Sequence, residues 1–160
     1  MIGFDLTQEQ KALQEKARRF SKEVILPVAA KHDRDGTFPV DVMQKAHQEG
    51  FLSPLIPKKY GGGGLGILDT CIISEELAAG CMGIYVSIFV STLALYPIIR
   101  FGTEDQKERF LNPFCSKYTL ASYCLSEFTV GSDPASMKTT AVLEGEHYVL
   151  NGTKMWSTNG

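Results

Sequence analysis

The sequence predicts an α+β fold: an all-helical N-terminal bundle over residues 1–115, then an incomplete antiparallel β-domain over residues 116–160. Three observations carry that expectation. Apolar residues recur at helical spacing as far as Pro113. Beyond it the pattern becomes extended, and only a few strand-length runs precede Gly160.

The first helix opens at Thr7-Gln8-Glu9-Gln10, a capping box in which the Thr7 hydroxyl accepts from the Gln10 N–H and the Gln10 side chain reaches back. Leu13, Ala17, Phe20, Val24 and Val28 then form an apolar stripe at three- and four-residue steps. Pro27 bends or restarts this helix, because its ring clashes with the preceding turn, and Asp33-Arg34-Asp35-Gly36 ends it. A second helix runs from about Pro39, a favoured first-turn residue, to Gly50, a favoured stop. The irregular link FLSPLIPKKYGGGGLG follows. A third helix spans roughly Leu68 to Ala79. The fourth, about Gly83 to Phe101, is apolar almost all round and is expected to be the most buried. Thr103-Glu104-Asp105-Gln106 repeats the capping box and opens a fifth helix, which Asn112-Pro113 closes.

Past Pro113, strands are expected over Tyr118–Ser126, Met137–Leu143 and His147–Leu150. Asn151-Gly152 is a strong two-residue hairpin signal, with Lys154–Thr158 as the returning strand.

Composition narrows the function classes. A net charge of −2 supplies no basic stripe, which argues against a nucleic-acid partner. Ser87, Ser91, Thr92 and Pro97 interrupt the apolar stretch from Ile84 to Phe101, so a buried helix is expected and no membrane span. Asp5 and Glu9 come too early for a signal or transit peptide. Cys71, Cys81, Cys115 and Cys124 lack C-x-x-C spacing and read as free thiols in a reducing compartment. His32, His47 and His147 are too scattered to suggest a metal site.

Gly61-Gly62-Gly63-Gly64-Leu65-Gly66 formally satisfies G-x-G-x-x-G. The dinucleotide fingerprint needs a preceding strand and a βαβ unit, and helices surround this loop instead. A flexible interhelical connection is the expectation.

Five stretches together are similar to the acyl-CoA dehydrogenases, the medium-chain members most of all. They are FDLTQEQKALQEKARRF, VILPVAAKHDRDGTFP, IPKKYGGGGLGILDTCIISEELAAGC, YCLSEFTVGSD and YVLNGTKMWSTNG. The resemblance runs in order along essentially all 160 residues and covers the family's N-terminal helical domain and the first part of its middle β-domain. It implies FAD as cofactor and oxidation of fatty acyl-CoA thioesters to trans-2-enoyl-CoA, the chemistry of fatty-acid β-oxidation. It also implies electron-transfer flavoprotein as electron acceptor, a homo-oligomeric assembly, and the mitochondrial matrix or a bacterial cytoplasm as the compartment.

The same resemblance assigns residues. Tyr123, Cys124, Leu125 and Ser126 would run along the flavin, offering main-chain bonds and the Ser126 hydroxyl to its polar edge. In Trp156-Ser157-Thr158 the indole would pack on the isoalloxazine and the Thr158 hydroxyl would bond near its reactive nitrogen. Ser132 would touch the acyl-CoA substrate. Taken alone, a Trp on a short strand is more often core, and a Ser or Thr at a strand end often only satisfies backbone. Glu127 matches a position that is not the family's base, which comes from the C-terminal domain, so no residue here receives a catalytic assignment.

One departure stands out. The family commonly reads Glu-Pro-Gly-Ala-Gly-Ser-Asp where this chain has Glu127-Phe128-Thr129-Val130-Gly131-Ser132-Asp133. A side chain forced into a left-handed conformation costs ~1–2 kcal/mol, so a displaced or loosened loop is expected. The competing reading is a non-catalytic, degenerate fragment or interaction module of such an assembly.

Overall fold

Thr7 caps the first helix as its spacing predicts. Its hydroxyl accepts from the Gln10 N–H at 3.2 Å, and the Gln10 side-chain Oε1 accepts from the Thr7 N–H at 3.0 Å. In the computed structural model, which describes residues 5–160, α1 spans Gln8–Phe20. Met1 to Phe4, the last of which opens the first quoted stretch, lie outside the described residues.

Pro27 acts through a widened turn rather than a kink. Ser21–Ile25 form a π-helical turn, and α2 (Leu26–Asp35) restarts with Pro27 in its first turn, where a missing N–H is harmless. The wide turn seats Ser21 and Ile25 in the interior. It also brings Ser21 so close to Gly80 that a Cβ there would lie 2.4 Å from the Ser21 hydroxyl oxygen. Gly36, at φ +62°, ends α2.

The next helices fall where the spacing puts them: α3 at Val40–Gln48, α4 at Ile67–Gly80 and α5 at Met82–Phe101. The last, α6, spans Glu104–Ser116 behind the Thr103/Gln106 capping box. It runs through Pro113 instead of closing there. In a final turn the lost N–H costs one bond, and Lys117 N–H still donates to the Pro113 carbonyl at 3.2 Å.

The core is shared by every helix except α2: Ala17, Met43, Leu77, Ile88 and Leu111 are all essentially inaccessible. The link between α3 and α4 belongs to it. Phe51, Leu52, Ile56 and Tyr60 are buried there, which overturns the expectation of a flexible connection. α5 is long and apolar enough to cross a membrane, but it packs Ile84, Ile88 and Leu95 into this core. It is not covered all round, because Val86 and Leu93 on another face remain partly open.

Past α6 the extended readings hold in part. β1 (Thr140–Glu144) and β2 (His147–Asn151) pair antiparallel, with Val142 opposite Val149. Their turn is Gly145-Glu146, with φ +62° at Gly145 alone, the pattern of a II′ hairpin. Asn151-Gly152 is therefore not the hairpin. Gly152 is needed for close approach, since a Cβ there would lie 2.2 Å from the Thr139 hydroxyl oxygen. Residues 118–126 and 154–158 are not in strands either.

Candidate functional site

The two segments without a ladder lie against each other. Met155 N–H donates to the Ser126 carbonyl at 2.9 Å, the Ser122 hydroxyl to the Thr158 carbonyl at 2.8 Å, and Lys154 Nζ to the Leu125 carbonyl at 3.1 Å. Two bonds fasten the pair to α5. Ala121 N–H donates to the buried Ser91 hydroxyl at 3.2 Å, and the Asn159 amide donates to the Ser87 carbonyl at 2.9 Å.

That arrangement brings together Tyr123, Cys124, Leu125, Ser126, Trp156, Ser157 and Thr158. Among the described residues, none of their seven backbone N–H groups has a hydrogen-bond partner. Trp156, the only tryptophan in the sequence, is 88% exposed and holds φ +59°. A positive φ is uncommon for a bulky residue and tends to collect at functional positions. The Cys124 thiol is drawn below its usual range by the hydroxyls of Ser157 and Ser122. Backbone and hydroxyl donors beside an exposed indole suit a flat heteroaromatic ring with acceptors on its rim. Asn159 Oδ1 is buried close by without a partner.

The loop that departs from the family pattern is unstrained. Glu127 and Val130 exchange two backbone bonds, of 3.0 and 3.1 Å, around the tight turn Phe128-Thr129. Phe128, Thr129 and Val130 all avoid positive φ. Val130 fills an interior position, and Phe128 points outward at 88% exposure. Ser132 follows on an exposed stretch.

Glu127 is pinned beneath this turn. Its carboxylate accepts from Lys154 Nζ (2.9 Å), Lys138 N–H (2.7 Å), and the N–H (3.0 Å) and hydroxyl (2.5 Å) of Thr139. The Lys154 ammonium first, then the Thr139 hydroxyl and the Lys138 amide, hold its pKa down at about 2. So weak a base is unsuited to taking a proton from carbon.

Glu104, held at about 2 by Lys59, then Tyr60 and Lys107, is the other strongly depressed carboxylate. Both groups sit below their ordinary 4.5, so each stabilises the fold above that value and stops doing so as pH falls toward 2. The urea midpoint should stay level from pH 7 to 5 and fall between 4.5 and 2. Glu127→Gln should remove part of that fall.

A second feature escaped the sequence. The open face of α5 and the facing side of α4 enclose a cavity of about 570 Å³, lined among others by Ile67, Cys71, Tyr85, Phe89, Leu93 and Tyr96. Tyr85 and Phe89 stack along α5, centroids 5.7 Å apart. The aliphatic hydroxyls on its walls are engaged: Thr70 donates to Gly66, Ser74 to Thr70 and Thr92 to Leu52, so most of the lining is apolar. Aromatics four apart on an apolar helix were the available signal, but a helix apolar on every side does not reveal which face lacks a neighbour.

By fold, this is a helical bundle that runs into the opening of a β-domain. The family model described as acyl-CoA dehydrogenase, N-terminal domain matches residues 7–118, and the one described as acyl-CoA dehydrogenase, middle domain matches residues 122–160. The chain belongs to the acyl-CoA dehydrogenase family. It is 42% identical over 159 residues to a probable medium-chain specific acyl-CoA dehydrogenase 2, mitochondrial, of Caenorhabditis briggsae, covering 99% of this chain and 39% of that protein. A glutaryl-coenzyme A dehydrogenase in complex with glutaryl-CoA superimposes with a TM-score of 0.90 at 32% identity, over 98% of this chain and 40% of the other. An acyl-CoA dehydrogenase of Bacillus anthracis complexed with FAD gives 0.84 at 32%, over 99% and 28%. The chain spans about two-fifths of the length of the curated relatives it matches.

Proposed function

We infer that this chain supplies the helical domain (residues 1–115) and part of the β-domain (residues 116–160) of a FAD-dependent acyl-CoA dehydrogenase acting on fatty acyl-CoA. The observation that carries the inference is the match to both family domains, together with the two segments Tyr123–Ser126 and Trp156–Thr158 lying side by side next to an exposed indole. These residues fit an isoalloxazine ring: backbone amides and the Ser126 and Thr158 hydroxyls would hold its polar rim, and Trp156 would pack on it. FAD, when bound, supplies the hydride acceptor for oxidation of the acyl chain.

The chain's own residues orient and desolvate. The apolar cavity between α4 and α5 takes the acyl tail, and Ser132 touches the acyl-CoA substrate. Glu127, ionised and four times hydrogen-bonded, supplies no base, and the family resemblance assigns that role to the C-terminal domain of such enzymes. The family resemblance supports electron-transfer flavoprotein as redox partner and a homo-oligomeric assembly. The mitochondrial designation of the worm relative supports a matrix setting.

Trp156 reports directly on this reading, being the sole tryptophan. Titration of the chain with FAD should quench its emission to a saturating plateau, with flavin retained through gel filtration. Unchanged emission at all FAD concentrations would remove the cofactor assignment.

A further inference from the structure

A few isolated bonds join the flavin-facing segments, among them those from Met155 N–H to the Ser126 carbonyl, from the Ser122 hydroxyl to the Thr158 carbonyl and from Lys154 Nζ to the Leu125 carbonyl. No ladder sets their spacing. What converges there instead is one carboxylate and one ammonium, whose side chains are 6% and 22% exposed. Lys154 Nζ reaches the Leu125 carbonyl, the Glu127 carboxylate and Met137 Sδ. The remaining bonds of Glu127 hold Lys138 and Thr139 at the entry to β1, and Thr139 in turn presses against Gly152 at the exit of β2.

We propose that the Glu127–Lys154 pair is a positioning latch that fixes the distance between the donor segment Tyr123–Ser126 and Trp156. A buried ion pair of this kind is a poor source of net stability, because desolvation offsets its attraction, but its directional bonds define one geometry. The pair touches both segments and the root of the hairpin, so a change at either residue reaches Trp156 through Met155. The consequence for flavin rests on the function proposed above; the mechanical role does not.

Glu127→Gln, Lys154→Met and the double variant, each in the full chain, separate the two. Hydrogen exchange is read at the Met155 amide, which bonds to Ser126 and not to the pair. Exchange there should rise about tenfold in each single variant and no further in the double, with the amides of α4 and α5 unchanged. Lys154→Arg should restore most of the protection. At saturating FAD the quench of Trp156 should lose about half its amplitude in the single variants, a change that simple destabilisation of the fold does not give. Unaltered Met155 exchange in a folded Glu127→Gln or Lys154→Met chain overturns the latch, as do losses that add in the double variant. If the unaltered chain shows no FAD quenching, the flavin reading fails and the Met155 exchange alone decides the latch.

Discussion

Trp156→Ala should weaken FAD binding by about 100-fold while leaving the thermal midpoint of the chain unmoved. The two halves of that result have separate causes. An indole that is 88% exposed contributes little packing, and surface substitutions of this kind stay within about ±0.5 kcal/mol. Its φ of +59° even carries a cost of ~1 kcal/mol or more that a glycine would relieve, so Trp156→Gly should be slightly stabilising. The ring gains its partner only when a flat heterocycle lies against it. Stacking on an aromatic side chain is worth ~1–3 kcal/mol, which at its upper end is about two powers of ten in affinity. Equilibrium dialysis with FAD and a thermal melt on the same samples check both halves, and Trp156→Phe should retain most of the affinity. A large fall in the midpoint would make Trp156 a core residue. Unchanged affinity would take the indole off the flavin.

The sequence led part of the way to this site, and what it missed has physical causes. Capping boxes are local, needing only residues three apart, and both formed at Thr7/Gln10 and Thr103/Gln106. Pairing is not local. Tyr118–Ser126 carries a legible extended preference, but whether an extended run enters a sheet depends on neighbours. Here the neighbour, residues 154–159, meets it through a few isolated bonds. Asn151-Gly152 has the stronger turn propensity and lost to Gly145-Glu146, because that turn aligns Ala141 with Leu150 and lets Gly152 sit tight on Thr139. The Phe128-Thr129-Val130 replacement raised an expectation of strain borrowed from a glycine-bearing pattern. The chain takes another course, with negative φ throughout and Val130 turned inward.

The flavin candidates were legible only through motif resemblance. Periodicity would have put the lone tryptophan in the core, and the structure leaves it facing outward. The cavity lining was illegible for the opposite reason. Tyr85, Phe89 and Leu93 look like core residues in every respect except that α4 stands back from them.

Gly62→Ala should destabilise the chain by about 3 kcal/mol and leave FAD affinity of the folded fraction unchanged. A Cβ at Gly62 would lie 2.2 Å from the carbonyl oxygen and 2.4 Å from the Cβ of Ile56, a fully buried residue. Those atoms are backbone and core, so the clash is relieved only by moving the link, and overpacking of this kind costs ~1–3 kcal/mol. The link cannot move alone. Gly62 N–H donates to Pro57, Gly63 to Ser53, Gly64 to Ile56 and Leu65 to Pro54, and breaking any of these adds to the cost. The same four bonds turn the N–H groups of a glycine run that resembles a phosphate loop inward onto their own chain. Urea denaturation measures the first half of the prediction. A stability change under 1 kcal/mol would mean the link is as loose as its composition suggests, and a selective loss of FAD binding would return the loop to the cofactor.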